Sequence, residues 1–295
     1  MNKKILITGG SGLLGQYLNI ECSANNTLLT CYNKHIGNCN GFQNRKIDIT
    51  DFDSLKEIFY SFHPEIVIHT AAITNTIPLP SQNLKDVYNI NVHATKNIAE
   101  LCEMTKSKLI YISTDLVYAG YRGSMLKEDA KLIPVSFYAE TKLMAETKIR
   151  DTFDNYLILR TALLYGMGLS HSNCHFDKMN KELKSGKSVT LFYDQFRTPI
   201  ALKEAAKIIK QIALMDIKNE TMNLGGIQRV SRFELGEILC SLAGYDKSLL
   251  KKNSLDDFPQ YPKVEDVSLN CDKLKSFGIK QKTIEENILK NLRAN

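Results

Sequence analysis

The sequence predicts an α/β fold: a doubly wound parallel sheet with a smaller C-terminal α/β lobe. Three observations carry this. Short, almost uniformly apolar runs alternate with helical patterns through the first half of the chain, as expected of parallel strands buried on both faces. The first of these runs leads directly into a glycine cluster and then a helix. Beyond about residue 165 the alternation loosens, and amphipathic helices dominate.

In chain order, KKILIT (3–8) reads as the first strand, with a helix from about Leu13. TLLTCY (27–32) is the second strand and RKIDIT (45–50) a short third. Thr50 and Asp53 make a capping-box pattern before SLKEIFYSF. EIVIHTAA (65–72) is a fourth strand, NVHATKNIAELCEM (91–104) a helix, and KLIYIST (108–114) and NYLILRT (155–161) two more strands. In the second half, 175–186 reads as a helix ending at Gly186, SVTLF as a strand, 203–215 as an amphipathic helix and 220–226 as a strand and turn. The helix at 231–244 opens with a Ser231/Glu234 capping box and closes on Gly244. Residues 1–165 are therefore expected to form a first domain, to which segments near 190–200 and 220–230 return. Residues 166–295 form mainly a second lobe. No repeat and no long Pro/Gly/Ser linker appears.

The 295 residues, 43% hydrophobic and 24% charged, suit a soluble globular protein of one or two domains. No run is long enough to span a membrane. The apolar part of MNKKILIT is too short for a signal peptide and reads as a strand. The seven cysteines include no CxxC pair, which fits a reduced, cytoplasmic setting. Cys31, His35 and Cys39 are spaced by four but lack an evident fourth ligand, so no metal is expected. The net charge of +6 is spread along the chain without a basic block, so nucleic acid is not an expected partner. A mildly positive protein suits anionic small molecules, although solvated lysines are the simpler reading.

ILITGGSGLLG places Gly9, Gly12 and Gly15 between a strand and a helix. Glycine there lets the backbone turn tightly and approach a pyrophosphate, which then meets the free N–H groups of the helix N-terminus. The strand–glycine–helix order identifies a Rossmann-type dinucleotide site, with Leu13 and Leu14 also against the cofactor. NAD binding wants an acidic residue after the second strand. Here Tyr32, Asn33 and Lys34 follow it, with no carboxylate. Asn33 and Lys34 would tolerate a 2′-phosphate, so NADP (as NADPH) is preferred. Asp48 with Ile49 either caps the adenine amino group or makes a turn. Ala71 and Ala72, at the end of the fourth strand, are small enough to leave room for the cofactor.

FYAETKLMAETK (137–148) contains AETK twice, but only the first copy follows a tyrosine. Tyr138 and Lys142 share a helix face. An ammonium beside a tyrosine favours the phenolate and makes the residue a usable acid/base catalyst. The strand YIST ends in Ser113 and Thr114, whose hydroxyl can hold a substrate carbonyl beside that tyrosine. Lys148 and Glu146 in the second copy read as solvated charges.

Strand-end glycines, a strand-end Ser/Thr and Tyr-x-x-x-Lys together resemble the extended short-chain dehydrogenase/reductase family. STDLVYAG is similar to the STDYVFDG of its dTDP-4-dehydrorhamnose reductase subgroup, and LRTALLYG (159–166), VSRFELGEIL (230–239) and SLNCDKLKSFGI (268–279) look like that subgroup's second half. The resemblance implies reduction of a nucleotide-linked 4-keto-6-deoxy sugar by NADPH. It implies that Thr114 orients the carbonyl, that Tyr138 donates the proton, and that Lys142 tunes Tyr138 and binds the nicotinamide ribose. It also implies that Asn91 lies near the active site, where a helix N-cap is the competing reading. A helix-packed homodimer is common in the family, and the oligomeric state stays open. The chain departs from the subgroup at NTIPLP, with Pro78 and Pro80, and at Tyr261-Pro262. Related dehydratases carry TDE where this chain has TDL, so Leu116 replaces the acid that elimination needs. Epimerases usually carry the acidic residue missing after the second strand. The chain also resembles the NADP-binding regulatory β subunit of methionine adenosyltransferase in LLG, IYIS and TKL, which leaves a non-catalytic role open.

Overall fold

Each apolar run of the first half becomes a strand of one parallel sheet in the computed structural model, which describes residues 2–293 other than 78, 80, 81, 122 and 260. The N-terminal elements are β1 (Lys4–Thr8), α1 (Leu13–Ser23), β2 (Thr27–Tyr32), β3 (Asn44–Lys46), α2 (Phe52–Phe62), β4 (Ile66–His69), α3 (Leu84–Tyr88), α4 (Ala94–Thr105), β5 (Lys108–Thr114), α5 (Phe137–Thr152) and β6 (Tyr156–Thr161). There follow β7 (Leu164–Tyr165), α6 (His175–Lys184), β8 (Val189–Phe192), β9 (Phe196–Arg197), β10 (Ile200–Ala201), α7 (Leu202–Ala213), β11 (Glu220–Leu224), β12 (Val230–Ser231), α8 (Arg232–Ala243), β13 (Leu250–Asn253), α9 (Asp272–Ser276) and α10 (Ile284–Arg293). None of the helices among the described residues is long and apolar enough to cross a membrane.

The seven-stranded sheet runs β11-β6-β5-β4-β1-β2-β3. Its period-two alternation divides the core. Ile5 and Ile7 pack on one face with α1 and α7, while Leu6, Val67, Leu109 and Tyr111 pack on the other with α2, α4 and α5. A third cluster, including Phe176, Met179, Leu191, Leu235, Leu239 and Ile288, is the core of the smaller lobe. The strand order reverses between β1 and β4, and the carboxyl ends there open the crevice in which such folds bind ligands.

Several boundaries differ from the sequence pattern. The third strand stops at Lys46. Asp51 caps α2, accepting the Ser54 N–H at 3.1 Å, so Thr50 and Asp53 do not form the expected box. The helix expected from residue 91 begins at Leu84, and a π-turn over Asn89–His93 joins α3 to α4. Asn91 therefore lies inside a helix and is no N-cap. Near 190–200, β8 pairs with β13 within the small lobe, and it is α7, just beyond, that packs on the large sheet through Ile208, Ile209 and Ile212. β11 joins the large sheet beside β6. The Ser231/Glu234 capping box is present, and Gly244 adopts a left-handed conformation (φ 71°) at the end of α8. Of the departures noted in the sequence, Pro78 and Pro80 lie outside the described residues.

Candidate active site

The glycine loop is shaped by two close approaches. Gly9 has φ +73°, and a Cβ there would lie 2.6 Å from the Ala71 backbone nitrogen, where the loop crosses the end of β4. A Cβ on Gly15 would lie 2.2 Å from the Gly9 carbonyl oxygen, so only glycine lets α1 press against the loop. Gly12 caps α1 without a side-chain bond, and the first turn holds no acidic residue. The N-terminal N–H groups of α1 are thus left for an anion, and the residues present fit a pyrophosphate.

Gly12, Leu13, Leu14, Gly15 and Ala72 line one cleft of about 870 Å³ together with Thr114, Tyr138 and Lys142. Gly9 and Ala71 back that wall. Asn33 and Lys34 are exposed past the end of β2. Asp48 accepts the Thr50 N–H at 2.9 Å and the Thr50 hydroxyl at 2.8 Å through Oδ1, as a turn residue does, and stays exposed. The Ile49 side chain is buried in the core against α2.

At the other end of the cleft, Ser136 caps α5 by accepting the Ala139 N–H at 3.3 Å. This puts Tyr138 in the first turn and Lys142 one turn on, over the carboxyl end of β5. The Tyr138 phenol faces the Thr114 hydroxyl, which favours its charged form. Burial holds the Tyr138 phenol well above its ordinary pKa, and the Asp115 charge adds to this; the nearby Thr114 hydroxyl only partly offsets them. The lowering expected of Tyr138 is not found, because desolvation dominates its surroundings. Burial also brings Lys142 down to about 7, against the opposing pull of Glu146.

Glu146 is no solvated charge. It is fully buried. Its carboxylate accepts from Ser113 Oγ (2.6 Å), Arg160 Nε (3.1 Å) and Nη2 (2.9 Å), and Arg150 Nη2 (2.9 Å). Glu140, its counterpart in the first AETK copy, is exposed. The two copies are thus inverted: buried lysine with exposed glutamate, then buried glutamate with half-buried Lys148. Asn91 is a second connector. Its Oδ1 accepts the Ile73 N–H at 2.9 Å, and its Nδ2 donates to the Ile73 carbonyl (3.0 Å) and to Thr141 Oγ1 (3.0 Å), beside Lys142.

The small-lobe wall carries residues that no local pattern marks. Arg197 is 5% exposed and its Nε stands 3.6 Å from Asp115 Oδ2, an oxygen with no hydrogen-bond partner among the described residues. Arg232 donates from Nε to Gln195 Oε1 at 3.0 Å. Burial and the like charge of Arg197 bring Arg232 down to about 10. Two desolvated guanidiniums and one carboxylate leave an excess positive charge that an anionic ligand would neutralise. Beyond them Phe192, Phe258 and Tyr261 form a cluster of edge-on rings with centroids 5.5–6.0 Å apart. Tyr261 and Pro262, flagged in the sequence as a departure, line the cleft. So does Leu116. His35 makes a ring contact with His171 at 4.8 Å. Among the described residues no cluster of three or more metal-ligating side chains is present.

A family model described as the RmlD substrate binding domain matches residues 3–294. Methionine adenosyltransferase 2 subunit beta of Bos taurus is 29% identical over 302 residues, covering 96% of this chain and 84% of that protein. The dTDP-4-dehydrorhamnose reductase of Aggregatibacter actinomycetemcomitans is 27% identical over 222 residues, covering 75% of this chain and 71% of its own. Among solved structures, a dTDP-4-dehydrorhamnose reductase of Bacillus anthracis in complex with NADP superposes with a TM-score of 0.87 at 22% identity, covering 100% of both chains.

Proposed function

The chain belongs to the RmlD substrate binding domain family, and on that footing we propose that it is an NADP-dependent oxidoreductase that reduces a nucleotide-linked 4-keto-6-deoxy sugar. One observation carries the proposal: the uncapped, glycine-lined start of α1 and the group Thr114, Tyr138 and Lys142 open onto the same cleft.

Bound NADPH supplies the hydride. Thr114 and Tyr138 hold the substrate carbonyl oxygen by hydrogen bonds, and Tyr138 donates its proton as negative charge develops there. A phenol kept protonated by burial and by Asp115 is in the form a reduction needs, and resists becoming the base that the reverse oxidation needs. Lys142 binds the nicotinamide ribose and offsets the charge left on Tyr138. Arg197 and Arg232 suit the diphosphate of the substrate, as planar guanidiniums match phosphate geometry. The aromatic cluster beyond them suits a base. Leu116, apolar where a dehydratase acid would stand, leaves elimination without its proton donor. The test is to mix the protein with NADPH and a panel of nucleotide 4-keto sugars and follow the absorbance of NADPH. Oxidation with one of them supports the reading, and oxidation with none overturns it.

The length of the match to methionine adenosyltransferase 2 subunit beta favours a second reading, an NADP-binding regulatory subunit. Tight NADP binding without turnover on any sugar, together with co-purification of a larger enzyme, would select it.

A further inference from the structure

Lys142 is 3% exposed, and no hydrogen bond or ion pair engages its Nζ among the described residues. What it meets is a ring: Nζ stands 4.0 Å from the centroid of Tyr111. Tyr111 lies in the middle of β5, on the face turned toward α4 and α5, and is fully buried. We propose that Tyr111 is a positioning residue whose ring face holds the Lys142 ammonium in place and charged, aimed into the cleft. This rests on the reading of Lys142 as a ligand of the cofactor.

The surroundings leave the ring as the main support. Glu146, one turn below Lys142 on α5, is shared with Arg160 and Arg150, so its charge is largely committed. Tyr138, one turn above, is a neutral phenol. Asp115, beyond it, faces Arg197. On β5 Ser113 donates to Glu146. From β4 comes His69, whose ring lies 5.7 Å from that of Tyr111. Its state follows from its partners. The Thr95 hydroxyl donates to the Asn91 carbonyl at 2.8 Å, so at 2.9 Å His69 Nε2 donates to Thr95, and Nδ1 accepts from Thr8 at 2.6 Å. The imidazole is neutral, and burial and the nearby Lys142 push it down to about 3. It therefore does not compete as a second cation. The Tyr111 hydroxyl lies near Thr95 but is buried with no hydrogen-bond partner among the described residues. The ring face, and not the hydroxyl, is the working part.

The magnitude makes the contact matter. Lys142 titrates at about 7. A desolvated cation–π contact corresponds to a shift of about one pH unit. At neutral pH such a contact decides whether most molecules carry the ammonium.

The test is NADPH affinity, by fluorescence titration from about pH 5 to 9, for the wild type, Tyr111→Phe, Tyr111→Leu and Lys142→Met. Wild-type affinity is expected to fall as Lys142 deprotonates, and Lys142→Met to lack that limb. Tyr111→Leu, which fills space without a π face, is expected to move the midpoint down by about one unit and bind about tenfold more weakly on the alkaline side. Tyr111→Phe keeps the ring and is expected to titrate like the wild type. A leucine variant with an unshifted midpoint overturns the proposal, as does a phenylalanine variant that shifts with it, since a filler role would treat the two alike. Tyr111→Met replaces leucine if that variant does not fold. A wild-type protein that does not bind NADPH overturns the functional reading itself, which is a different result.

Discussion

Replacing Glu146 with alanine is expected to destabilise the protein more than any change at an ordinary helix position. The carboxylate is fully buried and receives four hydrogen bonds, two of them from Arg160, itself 2% exposed. Its loss leaves Arg160 with Tyr118 Oη and the Glu128 carbonyl, each at 2.9 Å, and with no opposite charge. Unpairing one member of a buried ion pair costs about 3–5 kcal/mol. For 295 residues the unfolding entropy is roughly 0.6 kcal/mol/K, so Tm should fall by about 5–8 °C. Arg160 and Arg150 hold the Glu146 carboxyl below the usual range despite its burial. A depressed carboxylate contributes stability that is present above its unfolded value and lost as pH falls through the folded one. The gap between wild type and variant should therefore narrow in acid. Thermal melts and urea titrations at several pH values measure both effects, with Glu140→Ala, in the exposed copy of the repeat, as the control expected to change stability by less than about 0.5 kcal/mol. A Glu146→Ala protein melting within about 1 °C of the wild type would refute the reasoning.

Gly15→Ala should cost about 1–3 kcal/mol and weaken NADPH binding, since its Cβ would meet the Gly9 carbonyl at 2.2 Å and force α1 away from the loop; an unchanged melt and dissociation constant would contradict this. Lys142→Met should abolish turnover yet stabilise the fold near neutral pH. The folded lysine titrates at about 7 and the unfolded one at about 10.4, so between these values the unfolded chain binds more protons and wild-type stability rises with pH. Urea midpoints should show that rise in the wild type and a smaller one in the variant; equal slopes would speak against it.

The parallel strands were legible because a strand buried on both faces is a continuous apolar run, as in Ile66–His69 and Tyr156–Thr161. Thr114, Tyr138 and Lys142 were legible for a related reason, since a strand end and one helix turn carry them at fixed local spacing. What stayed hidden depends on distant partners. Glu146 looks like a surface charge until Arg160 and Ser113 are placed around it. Arg197 and Arg232 come from separate strands and helices of the small lobe, and nothing beside them in the chain marks them as buried. Asn91 fitted an N-cap because the true start of its helix, Leu84 behind the Asn83 cap, lies upstream beyond α3, and a π-turn carries the helix through Asn91.

The most direct measurement compares wild type with Tyr138→Phe, using NADPH oxidation in the presence of nucleotide 4-keto sugars alongside the NADPH dissociation constant. Tyr138 as proton donor predicts turnover by the wild type with at least one sugar, a loss of about 10²–10⁴-fold in the variant, and nearly equal NADPH affinity. A phenylalanine variant that turns over at the wild-type rate would contradict it.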